Sequence, residues 1–275
     1  RDEEGSQVLH TARPLFALLL VLLVTAGCGA AAEPPALTRY YDVDELITAV
    51  AAQQRADRTA QFSLRGDLVG VGDARVRFTG AGVLRITDTD LEIEFTQVVT
   101  QPDVEPQETG FVVLPDAVYL RMPSPPGEEP DRPWVRVEAG DTDPESRRLV
   151  ALADSISQRA HPTGTLARYS EATLVAAADD DVVDGAPAVR YTLVTDLARA
   201  AEVASDPTVQ AQLEQQVRNG VTRVTSTLWV DATHRLLRSA ARQELPGTGT
   251  LAVTGYYRGW GQPVQIEPPA TSLVG

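Results

Sequence analysis

Polar and apolar residues alternate along several stretches of the chain, and this period of two predicts β-strands. Residues 61–70, 74–86 and 90–98 all show the alternation and are separated by short turns. We therefore expect an antiparallel meander with one face buried and the other in water. The residues predicted to face the buried side are Phe62, Leu64, Leu68, Val76, Phe78, Leu84, Ile86, Leu91, Ile93 and Phe95. Those predicted to face water are Arg65, Arg77, Arg85, Glu92 and Glu94.

Helical periodicity separates groups of further strands. Asp42 is the expected N-cap of an early helix, and Asp143 and Asp206, each followed by proline, begin two later ones. Another helical segment is predicted near 196–203. Further strands are predicted at 110–114, 117–122, 134–137, 169–177, 182–194, 221–230, 236–244 and 250–260. The chain is therefore predicted to be α+β, with a large antiparallel sheet and short helices in a single domain.

The residues around the only cysteine of the chain, Cys28, indicate its role. Residues 15–24 are an unbroken apolar run, the length of a signal-peptide core and too short for a membrane span. Small residues precede Cys28, an arrangement that resembles a bacterial lipobox, although Thr25 stands where an aliphatic residue is usual. The alternative is a buried free cysteine. We predict a lipoprotein signal peptide over 1–27, a lipidated Cys28, a flexible tether over 28–39, one domain over 40–269 and a loose tail over 270–275.

Charge and residue usage exclude several function classes. The formal net charge is −14, which disfavours nucleic acid as a partner because no excess of cations can neutralise phosphates. The chain has no lysine, so P-loop, Schiff-base and Ser–Lys chemistries are excluded. The sequence GVGDAR (70–75) is better explained by a hairpin turn than by a dinucleotide site, and ADDD (178–181) by a solvated hairpin than by a calcium site. Neither a catalytic nor a metal-binding motif emerges, and we predict no enzyme activity and no cofactor.

The last strands resemble a known family. TSTLWVDATHRLLRSAARQ (225–243) and LAVTGYYRGWGQPVQIEPP (251–269) are similar to the C-terminal part of the actinobacterial LprG/LppX-type lipoproteins. The lipobox and the order of the earlier strands extend the resemblance over most of residues 40–269. The resemblance implies a LolA-like fold, in which a strongly curved antiparallel sheet forms a half-barrel and short helices pack on its concave face. In that family an apolar cavity between sheet and helices holds acyl chains.

Two function classes follow. The first is a monomeric carrier on the outer face of the cytoplasmic membrane, which binds lipid or glycolipid acyl chains and moves them across the cell envelope. The second is a lipid-anchored interaction or sensor module with a filled core, docking on an envelope transporter or a cell-wall enzyme. For the carrier, the residues predicted to line the cavity are Phe62, Leu64, Leu68, Val76, Phe78, Leu84, Ile86, Leu91, Ile93, Phe95, Leu149, Leu152 and Ile156.

Overall fold

The structure is a computed structural model that describes residues 36–275 except 71–74, 89, 125–126, 128–129, 139–140, 142, 246 and 248. The described residues belong to one compact unit, Ala36–Gly275. The predicted signal peptide, Cys28 and most of the predicted tether lie outside the described residues. So does the turn at 71–74, although β1 and β2 on either side of it pair as a hairpin.

The described residues form five helices and eleven strands. The helices are α1 (Val43–Asp57), α2 (Pro144–Ala160), α3 (Pro162–Arg168), α4 (Leu197–Val203) and α5 (Pro207–Arg218). The first six strands are β1 (Thr59–Gly70), β2 (Arg75–Ile86), β3 (Leu91–Gln101), β4 (Val104–Val113), β5 (Ala117–Arg121) and β6 (Trp134–Glu138). The other five are β7 (Thr173–Val183), β8 (Ala186–Asp196), β9 (Arg223–Asp231), β10 (Leu236–Leu245) and β11 (Gly249–Arg258).

All eleven strands join one open antiparallel sheet in the order β6-β5-β4-β3-β2-β1-β11-β10-β9-β8-β7. Two meanders, β1–β6 and β7–β11, meet where β1 pairs with β11 over ten residues, from Gln61 opposite Arg258 to Gly70 opposite Gly249. Helices α2 and α3 carry the chain from one edge of the sheet to the other. The predicted α+β class, with one large antiparallel sheet and short helices, is confirmed.

One face of the sheet, here termed the inner face, carries the main core. Leu64, Leu84, Phe95, Leu228 and Tyr257 are buried there, and all belong to one hydrophobic cluster with residues of α1, α2 and α3. The ten apolar strand residues predicted for the buried side lie on this face. The five charged residues predicted for water lie on the opposite, outer face, as the alternation of period two requires.

Glycines let aromatic rings lie flat on the inner face of the first meander. A Cβ at Gly66 would be 2.0 Å from Cε1 of Phe78, and one at Gly80 would be 2.3 Å from Cζ of Phe95. The rings of Phe62 and Phe95 stack with their centroids 5.4 Å apart, and Phe111 follows at 6.3 Å from Phe95. Aromatic packing therefore fills this half of the sheet.

Helix α1 contacts α3 and β7 and is fixed at both ends. Asp42 caps its N-terminus by accepting from the backbone N–H of Glu45 at 3.0 Å. At the other end Arg235, beyond β9, donates to both carboxylate oxygens of Asp57 at 2.7 and 2.8 Å. This bidentate bond ties the helix to the second meander.

A polar junction joins α1 to the connection between α2 and α3. Nε2 of His161 lies 3.1 Å from Oε1 of the buried Gln54, and the Thr163 hydroxyl donates to the same oxygen at 2.9 Å. Burial, and secondarily the charge of Arg168, lowers the pKa of His161 to about 4. The imidazole is therefore neutral in the folded protein at pH 7.

Several elements differ from the sequence prediction. Helix α3 was not predicted, β4 begins six residues earlier than expected, and the predicted strand at 169–177 begins at Thr173. Residues 178–181 lie within β7, and the actual turn is Asp184–Gly185, where both residues have positive φ. The predicted loose tail also forms structure, because Val274 bridges Trp134 and the Gly275 N–H donates to the Trp134 carbonyl.

We expect Gly66→Ala to destabilise the fold, although replacing a strand glycine by alanine usually stabilises by roughly 0.5–1 kcal/mol. The new methyl group collides with the Phe78 ring, and such overpacking costs about 1–3 kcal/mol. The urea midpoint of unfolding measures the change. The double variant Gly66→Ala/Phe78→Leu should regain part of the loss, and an unchanged midpoint in the single variant would contradict the packing described.

We expect stability to fall on acidification through His161. Its pKa in the folded protein, about 4, is below the unfolded value of about 6.5, so the unfolded chain takes up the proton first as the pH falls. The stability of the neutral form is complete above pH 6.5 and is lost progressively towards pH 4, by up to about 3 kcal/mol. Thermal melts at pH 7 and pH 5 should differ less for His161→Gln than for the native chain. An equal difference would exclude His161 as the cause.

Candidate functional site

A cavity of about 450 Å³ lies between the inner face of β8–β11 and the helices α2–α5. This volume is within the roughly 300–1,000 Å³ usual for small-molecule sites. Helices α2 and α3 contribute Ser155, Gln158, Arg159, Pro162, Thr165, Leu166 and Arg168, followed by Tyr169. The segment from β8 to α5 contributes Thr195, Leu197, Ala200, Val209, Gln212, Leu213 and Gln216. Strands β9–β11 contribute Val224, Ser226, Leu228, Ser239, Ala240, Ala241, Gln243, Leu251 and Val253.

Small side chains on the inner face leave the space. Ala241 of β10 lies opposite Ser226 of β9 on one side and Val253 of β11 on the other. Two residues earlier on β10, Ser239 lies opposite Gly255 of β11. Ala241 is exposed even though it belongs to the face that is buried elsewhere, because it borders the cavity. Ser239 is buried against the Tyr257 hydroxyl, whereas Ala241 is exposed, so the sheet is open around Ala241.

Helix α5 forms one wall of the cavity. Asp206 begins it by accepting from the N–H groups of Thr208 and Val209. None of its residues is buried, although Val209 and Leu213 line the cavity. The helix packs against α4 and is held to β10 by a 2.9 Å hydrogen bond from Gln243 to Gln216. Its apolar face is therefore available to a ligand.

A buried tyrosine beside the cavity is hydrogen-bonded to two residues that line it. Tyr257 lies on the inner face of β11, where its hydroxyl donates to the Arg159 carbonyl at 3.2 Å and lies 3.3 Å from the Ser239 hydroxyl. Burial raises the pKa of the phenol, which keeps it neutral. These contacts fix the end of α2 over the sheet and thereby fix the position of Arg159.

The charges at the cavity are all positive. Of the described residues that line it, Arg159 and Arg168 are the charged ones, and none is Asp or Glu. Arg159 is half-buried with its guanidinium over the Phe78 ring, 5.7 Å from the centroid, and burial lowers its pKa. Within the described part of the chain it has no carboxylate partner. Arg168 is more exposed and interacts electrostatically with Asp154.

The sequence predicted other residues as the lining of a cavity. The thirteen predicted residues are not among those that line this one. Phe62, Leu64, Leu84, Ile93, Phe95 and Ile156 are buried in the packed core, and Phe78, Ile86, Leu91, Leu149 and Leu152 pack against it. Leu68 and Val76, half-buried on the inner face, pair with each other, and Leu68 also pairs with the cavity residue Leu251. The physical reason is that aromatic rings over glycines fill the first meander, whereas the second presents Ala and Ser.

The residues that do line the cavity gave a weak signal. Ser226, Ser239 and Ala241 occupy inward positions of predicted strands, and their small side chains mark a place where the sheet leaves space beneath the helices. Arg159 occupies the last turn of a predicted helix, where a basic residue is ordinary. Neither feature shows which helix lies opposite which strand.

A second hollow, of about 740 Å³, lies beside β4, β5 and the proline-rich segment. It is lined largely by prolines and polar residues, with Val104 and Met122 as its apolar contribution. It also adjoins positions 125–129, four of which are outside the described residues. Its lining is less suited to an apolar ligand than that of the first cavity.

Within the described residues, the helices are too short or too polar to cross a membrane. Nor does this part of the chain bring together three or more His, Cys, Asp or Glu side chains that could hold a metal ion. The cavity therefore has to be interpreted from its shape, its aliphatic lining and its two arginines.

Comparison with known proteins finds similarity in structure alone. No family model matches the sequence, and no curated protein matches it. Among solved structures, LprF from Mycobacterium bovis is 14% identical with a TM-score of 0.41, covering 86% of this chain and 100% of that one. A DUF1329 family protein from Desulfovibrio piger is 10% identical with a TM-score of 0.32, covering 82% of this chain and 96% of that one.

A LolA superfamily protein from Nitrosomonas europaea is 8% identical with a TM-score of 0.22, covering 80% of this chain and 92% of that one. The resemblance stated from the sequence is to LprG/LppX-type proteins of LolA-like fold, and LprF and a LolA superfamily protein are among the solved structures to which this chain is similar. Identities and TM-scores this low assign no ligand, partner or activity to this chain.

Proposed function

We propose that the protein binds an acyl chain of a lipid or glycolipid in the cavity between β8–β11 and α2–α5, and carries it in the cell envelope. The observation that carries the proposal is a cavity of about 450 Å³ whose surface is mostly apolar, between the sheet and helices α2–α5. Its volume is within the range usual for small-molecule sites, and its apolar surface favours an apolar ligand.

The energetics favour a long apolar ligand. Each methylene group moved from water into an apolar site contributes about 0.8 kcal/mol. Leu197, Leu213, Leu228, Leu251 and Val253 supply such surroundings on several sides. A chain can therefore bind without specific polar contacts, and α5, which contributes no buried residue, can adjust to its thickness.

The N-terminal segment supplies the proposed location. A diacylglyceryl group on Cys28 would hold the domain at the outer face of the cytoplasmic membrane through the tether over 28–39. The domain would then take up and deliver chains at the membrane surface. In this proposal the protein has no catalytic role.

The second candidate, a lipid-anchored interaction or sensor module with a filled core, is favoured by the packing of the first meander. Phe62, Phe95 and Phe111 leave no room for a ligand there. The two functions predict different results when a large side chain is introduced into the cavity of the second meander. A module with no ligand would become more stable, whereas a carrier would no longer bind its lipid.

We expect Ala241→Trp to abolish lipid binding without loss of stability. The indole would occupy the space above β10, and because Ala241 is exposed it should not overpack the core. Ala81→Trp is the matched control, since Ala81 is an exposed strand alanine on the outer face. Native mass spectrometry with organic extraction, on protein purified without detergent, detects the bound lipid. Absence of lipid from the unmodified chain, or equal lipid in both variants, would contradict the carrier.

We expect Cys28→Ala to abolish lipidation and leave the precursor uncleaved by the lipoprotein peptidase. The reason is that the thiol is the acceptor of the diacylglyceryl group, and the chain has no second cysteine. Metabolic labelling with an alkyne fatty acid reports the modification. Cys28→Ser is a near-isosteric control that should behave in the same way. Labelling of either variant at the native level would show that the anchor lies elsewhere.

A further inference from the structure

The charge of the cavity limits which headgroup a bound lipid can carry. The chain as a whole has 38 acidic and 24 basic residues, yet the described residues lining the cavity include two arginines and no acid. A cation removed from water is costly unless an anion compensates it. Arg159 has no anionic partner within the described part of the chain, so its guanidinium is available to a ligand.

The setting of Arg159 holds it ready for such a contact. Phe78 lies under the guanidinium, and Tyr257 holds the carbonyl of the same residue. Arginine binds carboxylate and phosphate oxygens through its planar fork of N–H groups, and stacking on a ring leaves the edge of that fork open. The side chain thus combines a fixed position with unused donors.

We infer that the cavity takes an anionic amphiphile, whose carboxylate or phosphate pairs with Arg159 while an acyl chain lies along β9–β11 and α5. The inference rests on the proposed function and adds the charge of the headgroup. A fatty acid and a lysophospholipid share this chemistry.

Three probes of equal chain length test the charge on the unmodified full chain. Palmitate should bind about 10- to 100-fold more tightly than hexadecanol, because a hydrogen-bonded charge pair distinguishes them. Palmitoyl lysophosphatidic acid should also bind more tightly than hexadecanol, and whichever of the two anions binds better identifies the headgroup source. Isothermal titration or displacement of a fluorescent fatty acid measures all three.

Equal binding of palmitate and hexadecanol would overturn the inferred charge of the headgroup. Failure of every probe, hexadecanol included, would instead reject the proposed function itself.

Two variants test whether Arg159 is the group that binds the anionic headgroup. Arg159→Gln should reduce the preference for palmitate over hexadecanol to less than threefold. Arg148→Gln is the matched control, because Arg148 is an exposed arginine on the same helix that does not line the cavity. A preference lost equally in both variants, or kept in Arg159→Gln, would overturn the role of Arg159. Should Arg159→Gln unfold, the probe comparisons on the unmodified chain still decide the charge.

Discussion

The pairing of β1 with β11 is the contact on which the rest of the structure depends. It joins the first strand of the chain to the last over ten residues, and thereby makes one sheet of two meanders. Because the side chains alternate with a period of two, this register also gives the two meanders a common inner face. All five helices border that face, through the main core or the cavity, and the bidentate pair of Asp57 and Arg235 adds a second link between the halves.

The common inner face is filled in two different ways. In the first meander, glycines at 66 and 80 allow rings from neighbouring strands to lie flat, and the core is dense. In the second, Ser226, Ser239 and Ala241 are too small to reach the helices, and α5 does not bury a side chain to compensate. A site for an apolar ligand thus arises from the size of inward side chains on one half of the sheet and not from a special motif.

Much of the fold could be predicted from the sequence because it depends on local rules. The caps Asp42, Asp143 and Asp206 begin helices as expected, and each accepts hydrogen bonds from the first turn. Helix α3 was missed because Gly164 and two threonines give its seven residues a poor helical propensity, and tertiary contacts such as Thr163 with Gln54 overrule it.

The position of the cavity could not be predicted because periodicity shows which side chains point inward but not what lies above them. The sequence identified the alternating residues of β1–β3 as inward, and their burial agrees with this assignment. Whether aromatic rings close that face depends on cross-strand neighbours such as Gly66 opposite Phe78, which only the register reveals.

The boundary between the two halves depends on a stack of three residues. Phe78 lies over Gly66, and the guanidinium of Arg159 lies over the Phe78 ring. The ring therefore belongs to the packed core of the first meander and also supports the charged group that borders the cavity. Gly66 also pairs with Val253, which lines the cavity. Helix α2 spans this boundary, since Ile156 is buried in the core while Ser155 and Arg159 reach the cavity. The position of the unpaired cation is therefore set by the packed core beside it, and the same glycine that admits the ring determines how far the guanidinium stands from the sheet.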